Sequence, residues 1–420
     1  MTLKNRLMMT GAIVALVSAA APAFAQTQLT IESWRTDDLA IWQDQIIPAF
    51  EKANPDIKVT FSPTAPTEYN AALNAKLDGG SAGDIITCRP FDASLELFNK
   101  GKLADLTGLA GMENFSGAAK SAWSTDDGSK TFCVPMGAVI HGFIYNADAF
   151  AQLGITEPKT RDEFFAALDK IKADGTYIPM AMGTNDQWEA ATMGYQNIGP
   201  NYWKGEEGRL ALIAGTQKLT DADWVAPYAE LARWKDYLGD GFEAQTYSDS
   251  QNLFTLGRAA IYPAGSWEIA GFNTNATFKM GAFPPPVEKA GDTCYISDHT
   301  DIGIGLNAAS PNQDAAKKFL SWIASSEFGT IEANALPGFY PLSKEAVTIN
   351  DPLAQEFASW RAECQSTIRS TYAILSRGTP NLENETWNAS VQVIKGAETP
   401  EAAGARLQAG LDSWYKPAGK

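Results

Sequence analysis

The sequence has few of the side chains that bind transition metals. It contains two histidines, His141 and His299, and four cysteines among 420 residues. No two cysteines have the Cys-x-x-Cys spacing of common zinc motifs. The sequence also lacks a glycine-rich phosphate-binding loop. We therefore predict neither a metal site nor a bound cofactor.

Basic residues are scarce relative to acidic ones. Lys and Arg together number 33, whereas Asp and Glu number 49, which gives a formal net charge of −16 at pH 7. An electrostatic field of this sign repels the phosphates of nucleic acids and anionic membrane surfaces. We therefore expect neither nucleic acid nor a lipid surface as a partner.

A long apolar run occurs only near the start of the chain. Residues 1–25 begin with the basic Lys4 and Arg6, continue as an apolar stretch and end in Ala-Phe-Ala. This order is typical of a secretory signal peptide and is too short for a membrane span. We predict cleavage after Ala25, which would release a soluble protein into the periplasm.

Four cysteines in an exported chain are expected to form disulfides. Three pairings are open, and the sequence alone does not separate them. We expect Cys88 to pair with Cys133, and Cys294 to pair with Cys364.

Strand-like apolar segments alternate with helical patterns along the chain. Gln28–Trp34, Ile57–Pro63 and 83–88 read as strands, and the segments between them have apolar residues at helical spacing. This β-α-β-α-β order predicts an α/β fold with a parallel sheet. Ligands bind such sheets at the carboxyl ends of the strands. Since about 395 mature residues exceed the size of one core, we also expect two domains.

Two helix starts carry capping sequences. Thr160 and Glu163 have the spacing of a capping box, and so do Ser310 and Gln313, with Pro311 in the expected first turn. Each pattern predicts a helix that begins directly after the Thr or Ser.

Six segments of the chain occur in the order and spacing of a known family. They are "LTIESW…IIPAFEKANPDIKVTF", "GDIITC", "VPMGAVIHGFIYNADAF", "GRAAIYPAGSWEI", "GIGLNAASPNQDAAKKFLSWIAS" and "RGTPNLENETWNAS". Together they resemble the family 1 extracellular solute-binding proteins of ABC sugar importers. The resemblance implies a monomeric protein that is not an enzyme, binds a carbohydrate and delivers it to an ABC permease at the inner membrane.

The resemblance also implies two α/β lobes joined by a hinge, with the ligand in the cleft between them. The first lobe is expected to comprise residues 26–137 and 300–344, and the second residues 142–297 and 351–420. Each expected disulfide then lies within one lobe, which leaves the hinge free to close.

A sugar site needs aromatic rings against flat C–H faces and polar groups for the hydroxyls. Trp267 and Trp387 lie where the family places stacking tryptophans, and Trp188 lies near another aromatic position. For each of these tryptophans, the alternative to a ligand contact is packing in the hydrophobic core. The other expected ligand-binding residues follow strands or lie near the lobe crossings, and they are Arg35, Thr36, Asp37, Arg89, Asp92, His141, Thr184, Asn185, Gly265, Ser266, His299, Thr300 and Arg377.

Several arginines in so acidic a chain favour an anionic ligand, because a guanidinium binds an anionic group through paired N–H donors. The chain as a whole also resembles the binding proteins of sulfosugar importers, which implies a sulfonated glycoside such as sulfoquinovosyl glycerol. The alternative is that Arg35 pairs with Asp37 and Arg89 pairs with Asp92, which would leave a site for a neutral mono- or oligosaccharide.

Two further functions stay open. A secreted glycoside hydrolase needs two suitably spaced carboxylates, for which Asp37, Asp92 and Glu268 are candidates. A binding protein for a metal or an inorganic anion is the other alternative.

Overall fold

The computed structural model describes residues 26–417, so the predicted signal peptide lies outside the described residues. The strands are β1 (Thr27–Ser33), β2 (Ile57–Pro63), β3 (Ile85–Cys88), β4 (Cys133–Asn146), β5 (Ile178–Met180), β6 (Ala259–Gly265), β7 (Met280–Phe283), β8 (Tyr295–Leu306), β9 (Tyr340–Pro341) and β10 (Gln365–Thr367). Among the described residues, no helix combines the length and the apolar character that crossing a bilayer requires.

The α-helices lie between and after these strands. They are α1 (Leu39–Ile41), α2 (Ile47–Ala53), α3 (Tyr69–Gly79), α4 (Asp92–Asn99), α5 (Gly117–Ser121), α6 (Ala147–Leu153), α7 (Arg161–Asp174), α8 (Gln187–Glu189), α9 (Gln196–Ile198), α10 (Pro200–Trp203), α11 (Glu206–Ile213), α12 (Ala222–Trp234), α13 (Tyr247–Thr255), α14 (Ile269–Asn275), α15 (Gln313–Ile323), α16 (Ser326–Ala335), α17 (Pro352–Glu363), α18 (Leu382–Lys395) and α19 (Pro400–Asp412). Short 3₁₀ turns cover Met112–Asn114, Lys235–Tyr237, Ser266–Glu268 and Ala373–Ser376, and π-helical turns cover Trp42–Ile46 and Ala190–Tyr195.

The first strands have the predicted parallel order. β1 lies between β2 and β3 and pairs parallel to both, with Leu29 opposite Val59 and Ile31 opposite Ile85. These four side chains are buried, as expected for a sheet covered on its faces. The predicted β-α-β-α-β arrangement is confirmed.

Two long strands connect the two ends of the sheet, whose strand order is β2-β1-β3-β8-β4-β6-β5. β4 and β8 pair antiparallel to each other. β8 also pairs with β3, and the far end of β4 pairs with β6. The register of β4 against β8 shifts between Pro135 and Ala138, and such irregularities bend a strand.

Two apolar clusters form the interior. The first surrounds β1, β3 and β8, includes Phe50 and Phe319, and extends to Trp267. The second lies around the helices near β5 and β6, where Trp203 stacks on Trp224 with ring centroids 4.4 Å apart. The expected α/β fold is confirmed, whereas the residue bounds of the two lobes stay a prediction.

Both expected disulfides are present. Cys88–Cys133 joins the end of β3 to the start of β4, and Cys294–Cys364 joins the residue before β8 to the residue before β10. The bonds close segments of 45 and 70 residues. Closing such segments restricts the unfolded chain and stabilises the folded one, typically by about 2–4 kcal/mol for each bond.

One of the two predicted helix starts is correct. Thr160 and Glu163 form the reciprocal capping box at the start of α7. The prediction at Ser310 is wrong, because α15 begins only at Gln313. The Ser310 hydroxyl accepts from the Asn312 N–H at 3.0 Å, one residue before Gln313, and donates to the carboxylate of Asp84 at 2.6 Å. The hydroxyl therefore closes a local turn before the helix and does not cap it.

Candidate ligand-binding site

A cavity of about 910 Å³ opens beside the carboxyl ends of β1 and β3. Its opposite side is formed by the segment after β6, by α8 and by residues in and before α18. This volume is in the range of small-molecule sites. The expected site residues that line the cavity are Arg35, Asp37, Arg89, Asp92, Trp188, Trp267, Arg377 and Trp387.

Trp267 lies in the 3₁₀ turn that follows β6. Its side chain is 6% exposed, so it packs in the interior and lines the cavity at the same time. The indole N–H donates to the Tyr247 hydroxyl at 3.0 Å and to the Glu268 carboxylate at 3.2 Å. Trp267 therefore both packs in the core and lines the cavity.

Trp188, Tyr247 and Trp267 form one side of the cavity, which we call the aromatic wall. The Trp188 ring meets the Tyr247 ring edge-on, with centroids 4.7 Å apart. Burial raises the pKa of Glu268, behind this wall, to about 7, while hydrogen bonds from Tyr247 and Gln251 oppose that rise. The wall thus combines three cavity-lining aromatic side chains with a buried polar network behind it.

Arg35 is buried between two carboxylates. Its Nε and Nη2 donate to Asp38 at 2.6 and 2.9 Å, and Asp37 lies 3.1 Å from Nη2. Burial opposes the charge of Arg35, but Asp37 and Asp38 outweigh it and raise the arginine pKa. The Arg35–Asp37 pair of the neutral-sugar alternative is therefore present, and Asp38 reinforces it.

Arg89 does not form its expected pair with Asp92. Its Nε donates to the Asn70 side chain at 3.0 Å, and its Nη2 donates to the Pro66 carbonyl at 3.2 Å. The guanidinium lies over the Trp34 ring, 4.4 Å from its centroid. Within residues 26–417 it has no salt bridge to a carboxylate. Burial lowers its pKa, and the nearby carboxylate of Asp301 only partly offsets this effect.

Asp92 pairs instead with Arg377, from a distant part of the chain. Arg377 Nε donates to Asp92 at 2.7 Å, and both terminal nitrogens donate to Asp126 at 2.9 and 2.8 Å. We call Arg377, Asp92 and Asp126 the rim. These ion pairs connect the segment before α18 to the segments around α4 and before β4. They therefore bridge the two expected lobes.

His141 and His299 lie behind the cavity surface, on the two long strands. Their Nε2 atoms are 3.1 Å apart. Arg369, which lines the cavity, donates from Nε to His299 Nε2 at 3.2 Å. Burial lowers the pKa of both imidazoles, and the charge of Arg369 adds to that effect. The histidines are therefore neutral groups that connect the cavity to β4 and β8.

The other expected site residues do not reach the cavity surface either. The Ser266 hydroxyl donates to the Gly338 carbonyl at 2.5 Å and accepts from the Ile140 N–H at 3.0 Å. A Cβ atom at Gly265 would overlap the Trp267 ring, so this glycine allows the ring to pack. Besides the two histidines, the residues away from the surface are Thr36, Thr184, Asn185, Gly265, Ser266 and Thr300.

Several cavity residues are absent from the expected ligand-binding set. Trp34 is one of them, although it follows β1 directly and carries the same strand-end signal that pointed to Arg35. Arg369 and Tyr372 lie in an irregular segment after β10, where no local pattern marks them. Asp301 and Glu383 lie within 4 Å of Arg369 and balance its charge.

The arrangement gives little support to catalysis. Asp37 and Asp92 line the cavity in ion pairs with arginines, and Glu268 is buried behind the aromatic wall. A Gly-x-Ser-x-Gly sequence occurs at residues 79–83, but it follows helix α3 and not a strand, as a nucleophile elbow would. Across residues 26–417, no group of three or more His, Cys, Asp or Glu side chains could hold a metal ion.

Comparison with known proteins identifies relatives over most of the chain. The family described as bacterial extracellular solute-binding protein matches residues 33–329. The multiple sugar-binding protein of Streptococcus mutans serotype c is 24% identical over 315 residues, which cover 73% of this chain and 71% of that protein. The putative ABC transporter periplasmic-binding protein YcjN of Escherichia coli K12 is 26% identical over 315 residues, covering 72% and 70% of the two chains.

A solved structure has the same architecture. The solute-binding protein RafE in complex with raffinose superposes with a TM-score of 0.76 at 21% identity, over 92% of this chain and 99% of that one. At this identity the likeness establishes a shared fold.

Proposed function

Because the chain belongs to the bacterial extracellular solute-binding protein family, we propose that it captures a carbohydrate ligand in the cavity and delivers it to an ABC permease. The names of its relatives support both parts of this proposal, since one is a sugar-binding protein and another is an ABC transporter periplasmic-binding protein. The aromatic wall beside charged hydrogen-bonding groups supplies the chemistry that a sugar needs. The protein would act as a periplasmic monomer after removal of residues 1–25.

We propose that binding closes two lobes, residues 26–137 with 300–344 and residues 142–297 with 351–420. The cavity has walls from both sets of residues, so a ligand there contacts both lobes. A ligand favours the closed state only by the difference between its affinities for the closed and open states. The permease would recognise that closed state.

The ligand that we propose is a sulfonated glycoside such as sulfoquinovosyl glycerol. Arg89 carries this proposal, because it lines the cavity without a salt bridge to a carboxylate. A sulfonate would offset the charge of this guanidinium and accept its N–H groups. The Trp34 ring beneath Arg89 holds the guanidinium in place.

A neutral sugar is the second candidate. The observation in its favour is that Arg35, Arg369 and Arg377 each have two carboxylates within 4 Å. With these charges balanced, most of the polar cavity surface suits uncharged hydroxyls. The two candidates therefore differ in what Arg89 binds.

Calorimetric titration with a matched ligand pair tests the choice. Sulfoquinovosyl glycerol and glucosyl glycerol differ by a sulfonate in place of one hydroxyl. We expect the sulfonated ligand to bind at least about tenfold tighter, and Arg89→Gln to remove most of that preference, since charge-assisted hydrogen bonds contribute about 1.5–3 kcal/mol. Arg258→Gln, an exposed site away from the cavity, is the matched control.

Three other outcomes are informative. Equal binding of the two glycosides would favour the neutral-sugar candidate. Binding of neither by the wild-type protein would contradict the proposed ligand class. Release of free glycerol on prolonged incubation would contradict the binding-protein function and favour a hydrolase.

A further inference from the structure

The carboxylate of Glu268 organises a buried hydrogen-bond network directly behind the aromatic wall. Its Oε1 accepts from the hydroxyls of Tyr247 at 2.6 Å and Tyr262 at 3.3 Å, and from the indole N–H of Trp267 at 3.2 Å. Its Oε2 accepts from the Gln251 amide at 2.8 Å. Glu268 is 1% exposed and does not line the cavity. All four neighbours donate, which suits an acceptor-only ionised carboxylate.

Two of these donors belong to cavity-lining side chains. Tyr247 and Trp267 both line the cavity, and Trp267 also donates to the Tyr247 hydroxyl at 3.0 Å. Trp188 packs edge-on against Tyr247, so its position depends on the same network. A single buried carboxylate thus holds the polar edges of two rings and indirectly supports a third.

A hydrogen bond at the edge of a ring fixes where that edge lies and restricts the tilt of the ring. The indole N–H and the phenol hydroxyl are the only hydrogen-bonding groups on these two side chains. With both engaged in the network around Glu268, only apolar ring atoms of these two side chains remain to line the cavity. A binding wall held in its bound arrangement before the ligand arrives avoids the cost of ordering side chains on binding.

We propose that Glu268 is the positioning residue of the aromatic wall and sets the affinity of the site for a sugar ring by orienting Tyr247 and Trp267. The residue acts through these two side chains and without contact to the ligand. This inference rests on the proposed carbohydrate-binding function for its effect on affinity, whereas the orientation of the wall is a property of the free protein.

A measurement on the free protein tests the orientation. The indole N–H resonance of Trp267, assigned with Trp267→Phe, is followed by NMR hydrogen exchange at pH 8. We expect Glu268→Gln to speed this exchange roughly tenfold, because the substitution removes one acceptor and brings an NH₂ group toward the donors. Unchanged exchange would overturn the proposal.

Glu230→Gln is the matched control, because Glu230 is also buried and accepts from a tyrosine hydroxyl, that of Tyr202 at 2.6 Å, outside the cavity. It should leave the exchange of Trp267 unchanged. Tyr247→Phe is the second variant if Glu268→Gln does not fold. It removes one hydroxyl of the network and should also speed the exchange.

A double-mutant cycle tests the effect on affinity by calorimetry with sulfoquinovosyl glycerol and glucosyl glycerol. We expect Glu268→Gln alone to weaken binding about tenfold, and to weaken it less than about threefold when Tyr247 is already Phe, because coupled groups are not additive. Additive effects, or full affinity in a folded Glu268→Gln variant, would overturn the proposal. If the wild-type protein binds neither glycoside, the proposed function fails while the exchange measurement still decides the role of Glu268.

Discussion

The aromatic wall and the rim use similar polar chemistry in opposite environments. Behind the wall, Glu268 is 1% exposed and accepts four hydrogen bonds. At the rim, the side chains of Arg377 and Asp126 are 39% and 66% exposed, and that of Asp92 is 16% exposed. Buried hydrogen bonds enforce one geometry because an unmade bond there is costly, whereas exposed ion pairs are weak and screened by salt.

This difference matches what each region would have to do in a protein that closes around a ligand. The wall would keep its shape in the open and closed states, while the rim, which connects the two expected lobes, would form and break. Strong contacts at the rim would oppose opening. Substitutions in the two regions should therefore differ in size and in salt dependence.

The largest expected effect is at the wall. Trp267→Ala should weaken glycoside binding by several kcal/mol, roughly a hundredfold or more, because large aromatic side chains dominate the energy of such sites. Calorimetry measures affinity and thermal unfolding measures stability. Trp234→Ala, in the second core and outside the cavity, should lower stability and leave affinity unchanged. Normal affinity in Trp267→Ala with reduced stability would assign Trp267 to the core alone.

A second prediction concerns Glu332, a buried carboxyl that, unlike Glu268, has an oxygen without a hydrogen-bond partner. Glu332 is 1% exposed, and its Oε1 has no hydrogen-bond partner. Burial, with a smaller contribution from Asp38, raises its pKa from 4.5 to about 8. A raised carboxyl pKa means that the folded state holds its proton more tightly than the unfolded state, so stability falls as the pH rises from about 4.5 to 8.

Glu332→Gln should therefore be more stable than the wild-type protein at pH 8, by a few kcal/mol, and the difference should shrink toward pH 4.5. Chemical denaturation at several pH values measures this. Glu401→Gln, at an exposed position, is the control for replacing a glutamate by glutamine. A pH-independent difference for Glu332→Gln would mean that the residue does not carry a raised pKa.

The smallest effect is expected at the rim. Arg377→Gln should weaken glycoside binding by less than about 1 kcal/mol at low salt, and the loss should disappear near 1 M salt, because exposed ion pairs are screened. Calorimetry across a salt series measures it. A loss as large as that of Trp267→Ala, or one independent of salt, would show that Arg377 contacts the ligand directly.

Much of the fold was accessible from local patterns. Apolar runs and helical spacing located β1, β2 and β3, and the strand-end argument identified Arg35 and Arg89 as cavity residues. The capping box at Thr160 was predictable for the same reason, since its partner lies three residues away. At Ser310 the same argument failed, because the hydroxyl accepts from the Asn312 N–H in a local turn and donates to Asp84, which lies 226 residues away.

By itself, the sequence determined the α/β class and placed Trp267 at the end of a strand, because these features depend on neighbours within a few residues. Only the tertiary structure decided that Asp92 pairs with Arg377 and not with Arg89, and that Glu268 lies behind the wall. Arg377 lies 285 residues from Asp92, and the donors to Glu268 come from α13, β6 and the turn after it. Electrostatic pairing and burial depend on distances in space, which residue spacing along the chain does not encode.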